Sequence, residues 1–205
     1  MTDIPPPGAR TAPSTARNRG PILEVLKRWL PARGLVLEIA SGAGEHAVFN
    51  AAALPGVTWQ PTDLDEAALG SIAAWRAHAG PPNLLPPVPL DASAPESWPV
   101  ARADAIVSIN MVHISPWAAT EGLMTGAGRV LPPGGVLILY GPYLEDGVET
   151  APGNLAFDAD LKRRNPAWGL RRVEDVAALA ATHGLTLAER IAMPANNLTL
   201  VFRRT

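Results

Sequence analysis

The hydrophobic pattern of the chain alternates between short apolar runs and amphipathic segments. Apolar runs occur at "LVLEI", "VTWQP", "ADAIVSI" and "GVLILY", and each reads as a buried strand. Helical spacing of apolar residues separates them, over 45–53, over 65–78 and in the segment that Pro116 opens; a further short strand is predicted near "PVPL". A helix beginning at Pro21 precedes the first strand. This alternation predicts an α/β fold, a parallel sheet with helices on both faces.

The C-terminal third departs from this regularity. Residues 141–169 are rich in glycine and proline and show no clear period, so we expect them to form a functional cover over a site. The segment "RVEDVAALAATH" predicts a helix. The strands "LTLAERI" and "NLTLVFRR" follow, joined by a link so short that an antiparallel hairpin is expected.

Length and composition limit the classes of protein. A chain of 205 residues with 47% hydrophobic residues fits one domain, which we place at 17–205, after a proline-rich flexible arm at 1–16. The net charge of −2 argues against a nucleic-acid partner. The absence of cysteine and of a metal-ligand spacing predicts no metal site. Without an apolar membrane span, we expect a soluble, cytoplasmic protein with no membrane partner, and a homodimer remains open.

Polar residues and glycines follow the predicted strands at their carboxyl ends, where open parallel sheets bind ligands. Glu38 and the pair Gly42 and Gly44 follow the first strand, Asp63 ends the second, and Asn110 follows the fourth. A carboxylate such as Asp63 can accept both hydroxyl groups of a ribose. The glycines leave the backbone open to close approach. These features predict a site for an adenosine-type ligand.

Simpler interpretations of the same residues stay open. The two glycines can be a tight turn, Asp65 a helix cap, Asp91 a turn residue and His113 a hydrogen-bonded core residue. Glu38 is harder to explain structurally, because an unpaired charge inside a core strand is costly.

The blocks "VLEIASGAGEHAVFNAAALPGVTWQPTDLDEAAL", "LDAS", "IVSINMVHISPW" and "GGVLILYGPY" resemble class I S-adenosylmethionine-dependent methyltransferases. The stretches "RNRGPILEVL" and "MPANN" further resemble an uncharacterised family of small methyltransferases that includes methyltransferase-like proteins of animals. The resemblance implies a Rossmann-like three-layer sandwich whose seven-stranded sheet has an antiparallel C-terminal strand. It also implies S-adenosyl-L-methionine as the cofactor.

The resemblance assigns roles to individual residues. It implies that the methionine portion is lined by Glu38, Ser41, Gly42 and Gly44, the ribose by Asp63 and Leu64, and the adenine by Asp91 and Ala92, with Asn110 beneath the sulfonium. One position departs from the class I motif, because Ala40 stands where its first glycine usually lies.

The predicted reaction is in-line methyl transfer to a small-molecule acceptor. If the acceptor must lose a proton, His113 is the first candidate for the general base, followed by Tyr140 and Tyr143. Arg17 and Arg19 precede the first helix and could hold a carboxylate of cofactor or substrate.

Two other functions fit parts of the sequence. "GAGEHA" can be written G-x-G-x-x-A with Asp63 nineteen residues after Gly44, which is compatible with an NAD(P)-dependent oxidoreductase. Glu45 argues against this, because it places a negative charge where a pyrophosphate would bind. A non-catalytic cofactor-binding module is the other alternative.

Overall fold

The computed structural model describes residues 5–205. The nine strands are β1 (Gly34–Ile39), β2 (Val57–Asp63), β3 (Val88–Pro89), β4 (Ala105–Ile109), β5 (Val136–Gly141), β6 (Tyr143–Leu144), β7 (Arg171–Arg172), β8 (Leu185–Met193) and β9 (Asn197–Arg204) in those residues. The α-helices there are α1 (Thr15–Trp29), α2 (Glu45–Ala53), α3 (Glu66–Ala79), α4 (Trp117–Val130), α5 (Pro152–Arg164) and α6 (Val173–Thr182).

Seven of the strands form one sheet in the order β3-β2-β1-β4-β5-β9-β8. The pairs from β3 to β5 are parallel, and β9 runs antiparallel to both β5 and β8. Chain order reverses at β1, where β2 and β4 lie on opposite sides of the strand. The predicted fold class, a mostly parallel seven-stranded sheet with an antiparallel C-terminal strand, is confirmed.

The sheet is buried on both faces, as the continuous apolar runs predicted. Successive residues of β1 point to opposite faces: Leu37 packs in a core with α4 and α6, whereas Val36 packs in a core with α1 and α2. Both side chains are fully buried. The register aligns Glu38 with Pro61 of β2 and with Val107 of β4, so the carboxyl ends of the three central strands lie nearly level.

The described part of the predicted N-terminal arm makes hydrogen bonds to α2 and α3. The backbone N–H of Arg10 donates to Ser71 Oγ at 2.8 Å, and Trp75 Nε1 donates to the Arg10 carbonyl at 2.9 Å. The N–H of Ala12 donates to Glu45 Oε2 at 2.6 Å, and α1 begins at Thr15 rather than at Pro21. Side chains of α2 and α3 thus satisfy backbone groups of Arg10 and Ala12, and the flexibility of the arm stays a prediction. Residues 1–4 of the predicted arm lie outside the described residues.

Residues 141–169 contain a helix where no regular structure was predicted. Helix α5 begins with Pro152 in its first turn and buries a single residue, Leu161. Because α5 buries only this apolar side chain, its sequence shows no hydrophobic pattern of helical period. The short pair β6–β7 holds the flanking chain in place. None of the helices within 5–205 has both the length and the apolar character needed to cross a bilayer.

Candidate functional site

The turn between β1 and α2 adopts left-handed backbone angles at alternate residues. Ala40, Gly42 and Gly44 have φ values of 57°, 59° and 93°. Ala40 therefore adopts the left-handed conformation that glycine takes at no steric cost, at about 1–2 kcal/mol for an L-residue. The alanine that departs from the class I motif therefore stands in this turn at the cost of backbone strain.

The two glycines of this turn serve different purposes. A Cβ atom added at Gly42 would meet no atom within 4 Å, because this residue faces open space. A Cβ atom added at Gly44 would lie 2.8 Å from the Cα of Ile72 in α3. Gly42 thus leaves room for a ligand, and Gly44 allows α3 to pack against the turn.

Asp63 fixes the end of β2 to this turn. Its Oδ2 accepts the N–H of Gly42 at 2.8 Å, and its Oδ1 accepts the N–H of Asp65 at 2.9 Å. The side chain is almost buried, at 9% exposure, yet it borders a cavity. Each oxygen can still accept a second hydrogen bond. The two backbone N–H groups therefore orient the carboxylate and leave it able to accept hydrogen bonds from a ligand.

Asp65 and Asp91 fulfil the structural roles that the sequence left open. Asp65 Oδ1 caps α3 by accepting the N–H of Ala67 at 3.0 Å. Asp91 Oδ1 accepts both the N–H and the hydroxyl of Ser93, at 2.8 and 2.6 Å, which makes it a turn residue. Asp91 also borders a cavity, so the two interpretations of this residue are compatible.

The first cavity, here called the glycine cavity, has a volume of about 380 Å³. Its lining combines the β1–α2 turn, the start of α1 and the end of β4, namely Ala12, Ser14, Thr15, residues 40–46, Asp63, Ile109, Asn110, Met111 and Ile114. Two carboxylates, Glu45 and Asp63, border it. Neither lysine nor arginine is among its described lining residues.

The second cavity, here called the aspartate cavity, has a volume of about 480 Å³. Its polar and apolar walls include Asp63, Leu64, Asp91, Ala92, Met111, Ile114, Asn165 and Trp168. Ala40, Asp63, Met111 and Ile114 line both this cavity and the glycine cavity, so the two adjoin. Here too, no lysine or arginine is found among the described residues of the wall.

A third cavity, here called the arginine cavity, also measures about 480 Å³. It is bordered by Ser14, Arg17, Asn18, Asn110, His113, Ile114, Tyr140, Pro142, Asn154, Phe157, Arg164, Ala195 and Asn197. Ser14, Asn110 and Ile114 are shared with the glycine cavity. Asn110, with a φ of 62° and its N–H bonded to the Tyr140 carbonyl at 2.8 Å, therefore stands at the boundary of two sites.

Glu38 lies behind the glycine cavity and is not among its lining residues. The side chain is 1% exposed, and its Oε2 accepts Trp59 Nε1–H at 2.9 Å. Burial raises the pKa of Glu38 from 4.5 to about 7, although the Trp59 and Ser41 hydrogen bonds oppose the shift. Ser41 lines the cavity and Glu38 does not, so the predicted contact of Glu38 with the methionine portion stays a prediction.

The buried Glu38 makes a testable contribution to stability. A raised pKa in the folded state means that this contribution is complete below pH 4.5 and is lost as pH rises through 7. We expect the unfolding free energy of Glu38→Gln, relative to wild type, to increase by about 3 kcal/mol between pH 4.5 and pH 8. Urea denaturation at the two pH values measures this difference. A constant difference would mean that folding does not raise the pKa of Glu38.

Arg19 was predicted to contact the cofactor, but its guanidinium carbon lies 4.9 Å from the centroid of the Phe49 ring, over α2. It is not among the described residues that line the three cavities. The helical arrangement directs Arg17, two residues earlier, toward the arginine cavity instead.

Of the three candidate bases, His113 and Tyr140 border the arginine cavity, and Tyr143 is not among its described lining residues. Burial, with the positive charge of Arg171, lowers the pKa of His113 from 6.5 to about 4. His113 is therefore neutral at pH 7 and can accept a proton, although weakly. Burial raises the pKa of Tyr140, and a hydrogen bond with Asn18 opposes that shift. Tyr140 is thus protonated and suits a donor role better than that of a base.

Several lining residues were missed by sequence reasoning. Ser14 and Thr15 belong to a segment that was predicted to be unpacked, and Arg164 ends a helix that was not predicted. Ile114 borders all three cavities while remaining 41% exposed. Pro152 at a helix start was the one available signal for α5. Within 5–205, no group of three or more His, Asp or Glu side chains is arranged to hold a metal ion.

The model of a protein family described as "Protein of unknown function (DUF938)" matches residues 9–204. The chain belongs to this family. Membership covers nearly the whole chain, including the segment 9–14 that packs on α3. The family description itself assigns no activity.

Several solved structures that share this fold are named methyltransferases. An O-methyltransferase family protein from Burkholderia thailandensis matches with a TM-score of 0.77 and 17% identity, over 94% of this chain and 57% of that one. The mitomycin 7-O-methyltransferase MmcR matches with a TM-score of 0.78 and 15% identity, over 93% and 54%. The calicheamicin-biosynthesis methyltransferase CalO1, in its SAH-bound form, matches at 0.72 and 18%, over 92% and 54%.

These matches define the fold of this DUF938 member as that of class I methyltransferases, as the sequence resemblance predicted. At such low identity they establish the fold alone. The chain spans a little over half the length of each of these three proteins.

Proposed function

We propose that this protein is an S-adenosyl-L-methionine-dependent methyltransferase that acts on a small-molecule acceptor. The observation that carries the proposal is the charge of the adjoining glycine and aspartate cavities. Three carboxylates, Glu45, Asp63 and Asp91, border them, and neither cavity has a described lysine or arginine in its wall. A cationic sulfonium with an ammonium group suits this negative environment, whereas a pyrophosphate does not.

The assignment of cofactor parts to residues follows from which cavity each residue lines. Ser41, Gly42 and Gly44, in the glycine cavity, would hold the amino-acid tail. Asp63, which borders both cavities, would accept the ribose hydroxyls. Leu64, Asp91 and Ala92 line the aspartate cavity, where the adenine would lie; Leu64 is 69% exposed and available to cover the ring.

When bound, the sulfonium supplies an already activated methyl group for in-line displacement. The residues of this chain then need only to hold donor and acceptor in line, which can contribute about 7–11 kcal/mol. Asn110 lies at the wall shared with the arginine cavity and would position the reacting atoms. His113, neutral at pH 7, would accept a proton from an acceptor that must lose one.

The oxidoreductase alternative rests on the G-x-G-x-x-A spacing. Glu45 is the first residue of α2, where a dinucleotide pyrophosphate would sit, and its carboxylate is held there by the N–H of Ala12 at 2.6 Å. The negative charge cannot move away without breaking that bond. A non-catalytic cofactor-binding module is compatible with the same cavities and differs from the proposal only in turnover.

Calorimetric and thermal-shift titrations with S-adenosylmethionine, S-adenosylhomocysteine, NAD and NADP separate these functions. We expect only S-adenosylmethionine and S-adenosylhomocysteine to bind. Each, at a free concentration of a hundred times its dissociation constant, should raise the unfolding free energy by about 2.7 kcal/mol. Incubation with methyl-labelled cofactor and a metabolite extract then tests turnover. Label in a new small molecule supports the enzyme; cofactor binding with label found only in the cofactor or its hydrolysis products supports the module.

A further inference from the structure

The arginine cavity has the opposite charge character to the two cavities beside it. Arg17 and Arg164 border it, and no aspartate or glutamate is among its described lining residues. We propose that the methyl acceptor carries a carboxylate or phosphate group that Arg17 and Arg164 bind. This inference rests on the proposed methyltransferase function and names the class of its substrate.

Arg17 has a guanidinium that the rest of the described chain leaves available. It lies in the first turn of α1, where its backbone N–H donates to the Ser14 carbonyl at 3.1 Å. No ion pair joins its side chain to another residue among 5–205. A guanidinium at a cavity wall without a carboxylate partner is suited to bidentate binding of an anion.

Arg164, the last residue of α5, is oriented but only weakly neutralised. Its guanidinium carbon lies 5.3 Å from the Trp168 ring centroid. The only carboxylate near it within the described chain is Asp160, whose Oδ2 is 3.9 Å from Arg164 Nη1, and Asp160 also pairs with Arg163. With its side chain 56% exposed, such a pair contributes little and leaves the charge of Arg164 available to a ligand.

The remaining walls are suited to a compact polar molecule. Asn154 Nδ2 donates to the Asn196 carbonyl at 2.9 Å, which ties α5 to the β8–β9 turn. Asn18 is 8% exposed, and its Oδ1 has no hydrogen-bond partner. Phe157 is 37% exposed and contacts the His113 ring edge-on, with 5.7 Å between centroids. The cavity therefore combines cations, amides and an aromatic face.

The anion is held away from the methylated atom. The glycine cavity meets the arginine cavity at Ser14, Asn110 and Ile114, and neither arginine belongs to this shared wall. The methyl group must cross there, so the atom that receives it lies near Asn110. The group bound by Arg17 and Arg164 is then a second group of the acceptor, and the product keeps its negative charge.

The test uses Arg17→Gln, Arg164→Gln, the double variant and Arg163→Gln as a matched control. Arg163 is on the same helix with its side chain 74% exposed, and it does not line the cavity. Transfer of labelled methyl groups into a metabolite extract measures activity, and calorimetry measures the dissociation constant for S-adenosylhomocysteine. We expect each single variant to lower the initial rate at least about tenfold and the double variant about a hundredfold. Arg163→Gln should match wild type, and all four should bind S-adenosylhomocysteine within about twofold of wild type.

The labelled product of the wild-type protein identifies the anion. We expect it to be retained on an anion-exchange resin at pH 8; phosphatase treatment abolishes retention for a phosphate ester and leaves it unchanged for a carboxylate. A neutral or cationic product, or a double variant as active as wild type, overturns the inference while the methyltransferase function stands. If the wild-type protein binds no S-adenosylhomocysteine or transfers no label, the proposed function fails, and the inference falls with it.

Discussion

Replacing Gly44 with alanine is expected to lower the unfolding free energy by about 3 kcal/mol, the combined cost of a left-handed L-residue and of overpacking. The added Cβ would lie 2.8 Å from the backbone Cα of Ile72, and a backbone atom cannot rotate away as a side chain can. The φ of 93° adds strain independently of space. Urea denaturation measures the loss, which is a large part of a typical total stability. An unchanged midpoint would contradict the packing described between α3 and the β1–α2 turn.

Gly42→Ala is the matched control, since it adds the same methyl group two residues earlier. The space around its added Cβ is empty to 4 Å, so the expected cost is the backbone strain alone, about 1–2 kcal/mol. The methyl group enters the glycine cavity, and we expect S-adenosylhomocysteine to bind at least about tenfold more weakly because it loses that space. A folded variant with unchanged affinity would show that the ligand does not approach this turn.

Asp63→Ala is expected to weaken binding of S-adenosylhomocysteine by at least about tenfold, because the two charge-assisted hydrogen bonds that we propose to the ribose would be lost. The substitution also leaves the N–H groups of Gly42 and Asp65 without their acceptor, so a lower stability is expected as well. Calorimetry on the folded variant separates the two effects.

Asp65→Ala is the control for Asp63→Ala. Asp65 is adjacent in the chain and caps α3, but it does not line the glycine or aspartate cavity. It should lower stability and leave the affinity for the cofactor unchanged. Equal losses of affinity in both variants would assign the effect to the shape of the loop rather than to the Asp63 carboxylate.

The sequence predicts the fold well where burial and local chemistry agree. The central strands are apolar on both faces, and such runs identify β1, β4 and β5 without ambiguity. Because parallel strands end at one edge of the sheet, the polar residues after them can be placed together from topology alone. Ser41, Gly42, Gly44, Asp63, Leu64, Asp91, Ala92 and Asn110 all line the cavities at that edge.

The sequence does not predict features that depend on distant contacts. Helix α5 buries only Leu161, so it carries no hydrophobic period, although it supplies Arg164 and Phe157 to the arginine cavity. The packing of 9–14 depends on Ser71 and Trp75, more than sixty positions away in the chain. Glu38 was placed at the correct strand, but which side of the turn its carboxylate faces is determined by the hydrogen bond from Trp59.

The central claim is that the glycine and aspartate cavities together bind one adenosyl sulfonium cofactor. Isothermal titration of the wild-type protein and of Gly42→Ala, with S-adenosylhomocysteine and with NAD, tests it most directly. The account predicts one S-adenosylhomocysteine per chain for wild type, at least about tenfold weaker binding for Gly42→Ala, and no binding of NAD by either. Binding of NAD without S-adenosylhomocysteine, or equal affinity of both proteins for S-adenosylhomocysteine, would contradict it.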